Sequence, residues 1–274
     1  MKKFLQYLRI VLICGPVIIY YHFRYMIKFS RHPEKYPLEK RYAIARKEIS
    51  FVINKFHLDY KFEGFEKFTQ KKEKTLLISN HLSFFDPLMI IIQSEKPVTF
   101  VAKKEIFKMP FVKRVAKAID VFPIDRDNIM SQLSEIKKVV TYLKDENKPS
   151  VIIYIEGTRN KNPENPCLDF HAGTLKIAQM AGCPIMVGAT YGGFRALSMK
   201  SYLRKYPVFF NVFEEISVEE FKKFNTNELA ATLRKKVDHE VDLIRAKDKE
   251  YIYSMKLRDK KKELETRVDS RAKA

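Results

Sequence analysis

His81 and Asp86 are the two side chains of this sequence best suited to acid–base chemistry, and they stand five positions apart within residues 80–87. On a regular helix five positions correspond to a rotation of about 500°, which would point the two side chains apart. We therefore expect a turn between a strand and a helix, where Asp86 suits the N-cap and Pro87 the first helical position. A histidine whose Nδ1 faces a carboxylate is a general base with a fixed tautomer. The alternative is a hydrogen-bonded histidine beside a capped helix, without chemistry.

Charged side chains also follow three apolar runs that are typical of strands. They are Lys103 and Lys104 after residues 98–101, Asp125 and Arg126 after residues 121–124, and Glu156, Gly157, Thr158 and Arg159 after residues 151–155. Loops after strand ends are where α/β sheets bind ligands, and arginine offers a planar fork to a phosphate. Glycine allows a ligand to approach the backbone closely, and Glu156 is a candidate to orient Arg159 or to bind a hydroxyl group. Each motif alone also fits an ordinary turn, a structural ion pair or solvated lysines.

Strand-like and helix-like segments alternate from about residue 59 and predict the elements that position these motifs. Candidate strands lie at residues 59–62, 75–79, 98–101, 121–124, 151–155, 184–187 and 208–212. Helical patterns lie at about residues 86–94, 103–118, 128–146, 173–181 and 226–246. This alternation predicts an α/β domain with a mixed, largely parallel sheet and helices on both faces.

The first 58 residues predict a two-helix, membrane-associating motif. The apolar run at residues 10–23 would span about 21 Å as a helix, which is less than a hydrocarbon core of about 30 Å, and Gly15-Pro16 would kink it. We therefore expect a monotopic segment that enters one leaflet, with a full span as the alternative. Apolar residues at spacings of four and three over residues 38–56 predict an amphipathic second helix. Its charged face, directed to solvent or lipid headgroups, would carry Glu39, Lys40, Arg41, Arg46, Lys47 and Glu48.

The composition indicates anionic partners. The 274 residues carry 52 Lys+Arg against 33 Asp+Glu, a net charge of +19, which attracts anionic lipid, phosphorylated substrates or nucleic acid. Nucleic acid is disfavoured because the sequence shows no zinc-ligand spacing, RNA-binding aromatic cluster or helix-turn-helix pattern. Three cysteines without CxxC spacing indicate a reducing, cytosol-facing environment. The patterns divide the chain into a membrane-associating segment (1–58), an α/β domain (59–246) and a basic tail (247–274).

The strand-end motifs in this order resemble the glycerolipid acyltransferase family, specifically its bacterial PlsC-type members, over roughly residues 60–215. The family's His-x4-Asp motif falls on His81 and Asp86, which the resemblance identifies as catalytic. Lys103 matches the family's lysine after Phe-Val-Ala, and Arg126 matches the arginine that binds the substrate phosphate. The Glu-Gly-Thr-Arg motif falls on residues 156–159 and implies further substrate contacts.

The resemblance implies transfer of a fatty acyl group from acyl-CoA or acyl carrier protein to the sn-2 hydroxyl of lysophosphatidic acid. The product, phosphatidic acid, would serve phospholipid synthesis at an anionic leaflet on the cytoplasmic face of the cell membrane. Neither cofactor nor metal is expected, because His81 would deprotonate the attacking hydroxyl while Asp86 holds the imidazole. Glycerol-3-phosphate or another lysophospholipid is an alternative acceptor. A non-catalytic basic membrane-binding protein is the alternative from another functional class.

Three positions depart from the family's pattern. Asp120 stands where the second motif usually has glycine, Ile155 replaces the proline before Glu-Gly-Thr-Arg, and Val187 replaces the second proline of the fourth motif. None of the three changes removes a functional group. The reaction class is therefore unaffected, while the acceptor and the acyl-chain length stay open.

Overall fold

A computed structural model of the protein describes residues 2–198 and 205–272, with side chains for residues 8–196 and 205–258. Within these ranges seven strands form a sheet: β1 (Leu58–Glu63), β2 (Leu76–Ser79), β3 (Thr99–Lys103), β4 (Phe122–Ile124), β5 (Val151–Tyr154), β6 (Ile185–Tyr191) and β7 (Tyr206–Ile216). Each strand lies on a predicted segment. The last two are longer than predicted, because they form a long antiparallel pair that extends past the apolar runs.

The strand order in the sheet is β1-β7-β6-β2-β5-β3-β4. Five of the six pairings are parallel, and only β6 and β7 pair antiparallel. This confirms the predicted mixed, largely parallel sheet. Strand β2 lies in the middle, so the turn that follows it is flanked by the ends of β5 and β6.

The α-helices of the described chain are α1 (Lys2–Tyr21), α2 (Ile27–Arg31), α3 (Leu38–Ile53), α4 (Phe65–Thr69), α5 (Asp86–Gln93), α6 (Pro110–Ala118), α7 (Ile129–Lys144), α8 (Ala172–Ala181), α9 (Arg195–Ser198), α10 (Val218–Phe221) and α11 (Thr226–Ala272). A π-helix spans His22–Met26, and 3₁₀-helices span Pro33–Lys35, Asn54–Phe56 and Lys104–Lys108. The helix predicted at residues 103–118 is divided, since Pro110 cannot continue a preceding helix but suits the start of a new one.

Apolar layers cover both faces of the sheet. Along β2, Leu77 packs into one cluster with α3 and α5, while Leu76 and Ile78 pack into another with α7, α8 and α11. A strand buried on both faces has a continuous apolar sequence rather than an alternating one. This arrangement confirms the prediction of helices on both faces.

Helix α3 packs into the core with more of its surface than the amphipathic pattern predicted. Arg41 and Glu48, expected on the charged outer face, are 4% and 5% exposed. Arg41 reaches Asp120 at 2.8 Å and also donates to the carbonyl of Ala118. Asp120 has a φ of +58°, in the left-handed region that favours glycine. The carboxylate at this departure from the family pattern thus holds α3 against the start of β4.

The predicted domain boundaries do not coincide with breaks in the packing. Helix α3 shares one apolar cluster with the sheet, and α11 runs through residue 247 as a single helix. Past that boundary, Asp248 pairs with Arg195 and Tyr251 donates to Asp59. The division into a membrane-associating segment, an α/β domain and a basic tail therefore remains a prediction about the functions of these segments. The lysines at 260–262 lie outside the described side chains.

One helical segment near the N-terminus is long and apolar enough to cross a membrane, judged by length and composition. It covers Leu8–Arg31, 24 residues, and its 18-residue apolar stretch has a mean hydropathy of 1.6 with 11% of its residues buried. At 1.5 Å per residue it would extend about 36 Å, because the helix continues through Pro16 and beyond the apolar run. The argument from length against a full span is therefore wrong. Entry into a single leaflet stays a prediction.

Candidate active site

The turn after β2 brings His81 Nδ1 to 2.9 Å from Asp86 Oδ2. Asp86 is the first residue of α5 and Phe85 is its N-cap, so the helix begins one residue earlier than predicted. The same Oδ2 accepts the backbone N–H groups of Leu82 at 2.8 Å and Ser83 at 2.7 Å. These three donors fix the position of the carboxylate oxygen. Asp86 as a whole is 2% exposed. An Nδ1–H held in this way leaves Nε2 of His81 as the basic nitrogen.

Tyr154 supports the His81 ring from one side, a role that the sequence patterns did not reveal. The two rings stack with centroids 4.2 Å apart and an angle of 17° between their planes. Tyr154 ends β5 and is paired in register with Ser79 of β2. Its position at the end of a strand, two residues before Glu156 of the Glu-Gly-Thr-Arg motif, was the available signal. The stacking restricts the imidazole to one orientation.

Glu156 stabilises the backbone of the same turn instead of binding an arginine or a hydroxyl as expected. Its Oε1 accepts the N–H of His81 at 2.6 Å, and its Oε2 accepts the N–H of Leu168 at 2.8 Å. The side chain is 2% exposed. Burial raises the pKa of Glu156 to about 7, and the two backbone hydrogen bonds oppose that rise. With both oxygens engaged, Glu156 acts on the site by positioning His81.

Gly157 allows the side chains of Arg126 and His171 to approach the turn that follows β5. Its φ of +69° lies in the left-handed region. A Cβ atom at this position would lie 3.2 Å from Cζ of Arg126 and 2.6 Å from Nε2 of His171. Glycine is therefore required both for the backbone conformation and for the close approach. His171 was not a candidate from the sequence, because nothing in its local pattern distinguishes it.

Lys103, rather than Lys104, faces the site. Lys104 pairs with Asp125 at 2.6 Å, which is the structural ion pair that the sequence offered as the alternative for Asp125. Lys103 ends β3 with its side chain exposed. The two adjacent lysines therefore have different roles. Lys104 forms an ion pair, and Lys103 lies beside the cavity.

A cavity of about 470 Å³ joins the predicted residues. His81, Lys103, Arg126, Gly157, Thr158 and Arg159 line one part of it, while Asp86 and Glu156 lie behind its wall. The remaining lining is mainly apolar and comes from α1, α3, α5, α6 and the adjoining loops, including Ile18, Ile49, Val52, Phe84, Leu88, Ile91, Phe111, Val112 and Val115. A base, a group of cations and an apolar pocket thus share one space, which suits an amphiphilic substrate with an anionic headgroup.

Ser83, the hydroxyl nearest to His81 in the sequence, has a structural role. Its Oγ donates to the carbonyl of Gly193 at 3.0 Å and accepts the N–H of Phe85 at 3.1 Å. It is 4% exposed. These contacts hold the loop backbone in place and leave the hydroxyl group buried rather than available as a nucleophile. Among the described residues, no group of three or more side chains has the arrangement of a metal site.

Residues 59–188 match the family model described as Acyltransferase. A 1-acyl-sn-glycerol-3-phosphate acyltransferase from Streptococcus pneumoniae is 29% identical over 165 residues, which cover 60% of this chain and 58% of the relative. Its counterpart of the same name from Borreliella burgdorferi is 28% identical over 121 residues, covering 44% of this chain and 47% of the relative. The chain thus spans about half the length of these two curated relatives.

A solved structure shows a similar fold. The crystal structure of the 1-acyl-sn-glycerophosphate (LPA) acyltransferase PlsC from Thermotoga maritima superposes with a TM-score of 0.64 at 19% identity. The match covers 89% of this chain and 98% of that one. The likeness therefore extends beyond residues 59–188.

Proposed function

We propose that this chain, whose residues 59–188 match the family model described as Acyltransferase, acylates the sn-2 hydroxyl of 1-acyl-glycerol-3-phosphate. The product would be phosphatidic acid. The observation that carries this proposal is the cavity in which His81, held by Asp86, shares one space with Lys103, Arg126 and Arg159 and with an apolar lining. A lysophospholipid carries the matching features, namely a free hydroxyl, a phosphate and a fatty chain.

In the proposed reaction, Nε2 of His81 takes the proton of the sn-2 hydroxyl as that oxygen attacks the carbonyl carbon of an acyl thioester. Asp86 holds the ring through Nδ1 and stabilises the imidazolium that forms. Collapse of the tetrahedral intermediate breaks the C–S bond, and the imidazolium returns the proton to the leaving thiolate. No covalent acyl-enzyme forms, since the substrate's own hydroxyl is the nucleophile.

The three cations would bind the acceptor's phosphate and set its hydroxyl against His81. Lys103, Arg126 and Arg159 come from the ends of three separate strands, and all three are exposed. Arginine binds phosphate through two parallel hydrogen bonds, which fixes orientation as well as position. Holding two reactants in register can lower the barrier by several kcal/mol. The acyl donor, acyl-CoA or acyl carrier protein, would bring its own anionic groups to the same cationic face.

The proposed setting is the cytoplasmic face of the cell membrane, with an anionic leaflet as the partner surface. The segment Leu8–Arg31 would hold the cavity near the lipid from which the acceptor arrives. Tyr20, Tyr21, Phe23 and Tyr25, with Arg24 and Lys28 nearby, give it the aromatic and cationic residues that favour the headgroup region.

The proposal is tested by incubating the purified full chain in vesicles with lysophosphatidic acid and either palmitoyl-CoA or palmitoyl-acyl carrier protein. We expect phosphatidic acid and free thiol in equal amounts, and neither product with the His81→Ala variant. Glycerol-3-phosphate and lysophosphatidylcholine serve as competing acceptors. No product with any acceptor would favour a non-catalytic membrane-binding protein and would contradict the proposed function.

A further inference from the structure

The C-terminal helix α11 holds the segment that supports the backbone of His81, although the proposed reaction uses none of its side chains. This segment, residues 166–168, follows the Glu-Gly-Thr-Arg motif, and Cys167 shares an apolar cluster with Leu233 and Val237 of α11. The family match ends at residue 188, before α11 begins. The contacts that connect α11 with His81 therefore start outside the matched region.

The peptide group between Cys167 and Leu168 is hydrogen-bonded on both sides. Its C=O accepts from Nε of Arg234 at 2.9 Å, and its N–H donates to Oε2 of Glu156 at 2.8 Å. The other oxygen of Glu156 accepts the N–H of His81 at 2.6 Å. A guanidinium group of α11 is thus connected to the backbone of the proposed base through one peptide group and one carboxylate.

Asp238 holds the same segment from the next turn of α11. Its Oδ1 accepts the N–H of Cys167 at 2.6 Å. Asp238 and Arg234 are four positions apart, so they lie on the same face of the helix. Arg234 also pairs with Asp169 at 2.9 Å. The N–H and the C=O of Cys167 are therefore both fixed by side chains of α11.

The C=O of His81 leads to the same segment by a second route. It accepts the N–H of Asn160 at 2.8 Å, and Nδ2 of Asn160 donates to the C=O of Pro166 at 2.9 Å. Asn160 is 5% exposed and Glu156 is 2% exposed, so water competes little for these hydrogen bonds. Both backbone groups of His81 are therefore connected to residues 166–168, which α11 holds.

The charge of Arg234 strengthens this series of hydrogen bonds. A guanidinium group that donates to a C=O polarises the peptide group, so that its N–H becomes a better donor to the Glu156 carboxylate. Because the Arg234 side chain is 36% exposed, solvent limits this gain. A small gain still matters at His81, since a displacement of about 1 Å in an active site is enough to slow a reaction strongly.

We propose that Arg234 and Asp238 of α11 are positioning residues, which hold His81 in its reactive place through residues 166–168 and Glu156. The inference rests on the proposed acyl transfer and assigns a role in it to the C-terminal helix. It concerns kcat rather than substrate binding, because neither residue lines the cavity.

The test measures thiol release from palmitoyl-CoA with lysophosphatidic acid and the full chain in vesicles. In Arg234→Ala and in Asp238→Ala we expect kcat to fall about threefold with KM for both substrates unchanged, because His81 shifts while the cations of the cavity do not. Asp238→Asn keeps an acceptor oxygen for the N–H of Cys167 and should retain the wild-type kcat. Lys236→Ala, which removes a cation of α11 that pairs with Glu214, is the control.

The decisive measurement combines Arg234→Ala with Glu156→Gln. If Arg234 acts through Glu156, the double variant has the same kcat as Glu156→Gln alone, because the amide group has already interrupted the series of hydrogen bonds. If Arg234 only stabilises the fold, its replacement lowers the amount of active enzyme, and this loss multiplies with the loss caused by Glu156→Gln. A multiplied loss, or a wild-type kcat in Arg234→Ala, overturns the inference and leaves the proposed function standing.

The two proposals fail in different ways. Absence of phosphatidic acid with the wild type would overturn the proposed function and this inference with it, whereas a multiplied loss in the double variant overturns the inference alone. Asp238→Ala takes the place of Arg234→Ala in the same combination should the arginine variant not fold.

Discussion

The strand-end part of the cavity and its helical wall each contain a buried carboxyl group, and the two groups differ in their hydrogen bonds. Asp86 holds three donors on one oxygen, among them the imidazole of His81. Each group also has an enclosed oxygen without a partner among the described residues, Oδ1 of Asp86 and Oε2 of Glu48 on the helical wall. The difference lies in the other oxygen, since Oδ2 of Asp86 organises the turn around His81, whereas the Glu48 side chain makes no hydrogen bond within the described part of the chain.

The largest effect on kcat is expected when either the proposed base or the carboxylate that binds its Nδ1 is replaced. His81→Ala and Asp86→Asn should each lower kcat by about 10³-fold or more, because general base catalysis and the fixed tautomer are lost. Steady-state release of thiol from acyl-CoA measures the loss. His32→Ala, an exposed histidine remote from the cavity, is the control. Near-normal turnover by His81→Ala would contradict the assignment of the base.

Removing the carboxyl group of the helical wall should instead raise stability, in a pH-dependent way. Burial raises the pKa of Glu48 from its usual 4.5 to about 7 in the folded protein, so the folded chain binds the proton more tightly than the unfolded chain. The unfolding free energy therefore falls as pH rises from about 4.5 to 7. Glu48→Leu should be more stable than the wild type by about 3 kcal/mol above pH 7 and by little at pH 4.

Urea unfolding at pH 5 and pH 8 measures this difference. Glu156 also has a raised pKa, but it is present in both proteins, so its contribution cancels. A stability gain of the same size at both pH values would mean that Glu48 gains no proton affinity on folding. In that case the contrast between the two carboxyl groups would rest on packing alone.

The cations at the strand ends should affect acceptor binding more than the chemical step. Arg126→Ala and Arg159→Ala are expected to raise KM for lysophosphatidic acid by about 20-fold, since each removes a charge-assisted phosphate contact. Lys117→Ala, an exposed cation on α6 outside the cavity, is matched in charge change and should have little effect. Equal losses with monoacylglycerol, which lacks the phosphate, would rule out the phosphate role.

The strand-end part could be predicted from the sequence because each of its motifs is contiguous. A buried parallel strand is a short apolar run, and the residues that follow it must emerge at one edge of the sheet. His81, Asp86 and Arg126 were found in this way. The proposed roles of these residues still await the experiments above.

The helical wall and the supporting contacts could not be predicted in the same way. Glu48 fits the charged side of an amphipathic pattern, and only the packing of α3 against α5 and the sheet buries it. Glu156 contacts a backbone N–H that lies 75 positions earlier in the chain. Such pairings depend on which strands become neighbours, and periodicity does not specify this. Sequence patterns therefore identified the proposed catalytic pair more readily than supporting contacts between residues far apart in the chain.

The Glu156→Gln variant tests whether the hydrogen bond from the backbone N–H of His81 to Glu156 contributes to catalysis. Of the variants in this comparison, we expect it to change the kinetic constants least. Glutamine keeps one acceptor oxygen, but its NH₂ group would face the N–H of His81 or Leu168, donor against donor. We expect kcat to fall about fivefold with KM for both substrates nearly unchanged, because His81 shifts while the cations do not. A merely structural role would lower the amount of folded enzyme without changing the pH at which kcat is half-maximal. A shift of that midpoint, together with the fall in kcat, would show that Glu156 acts through the histidine.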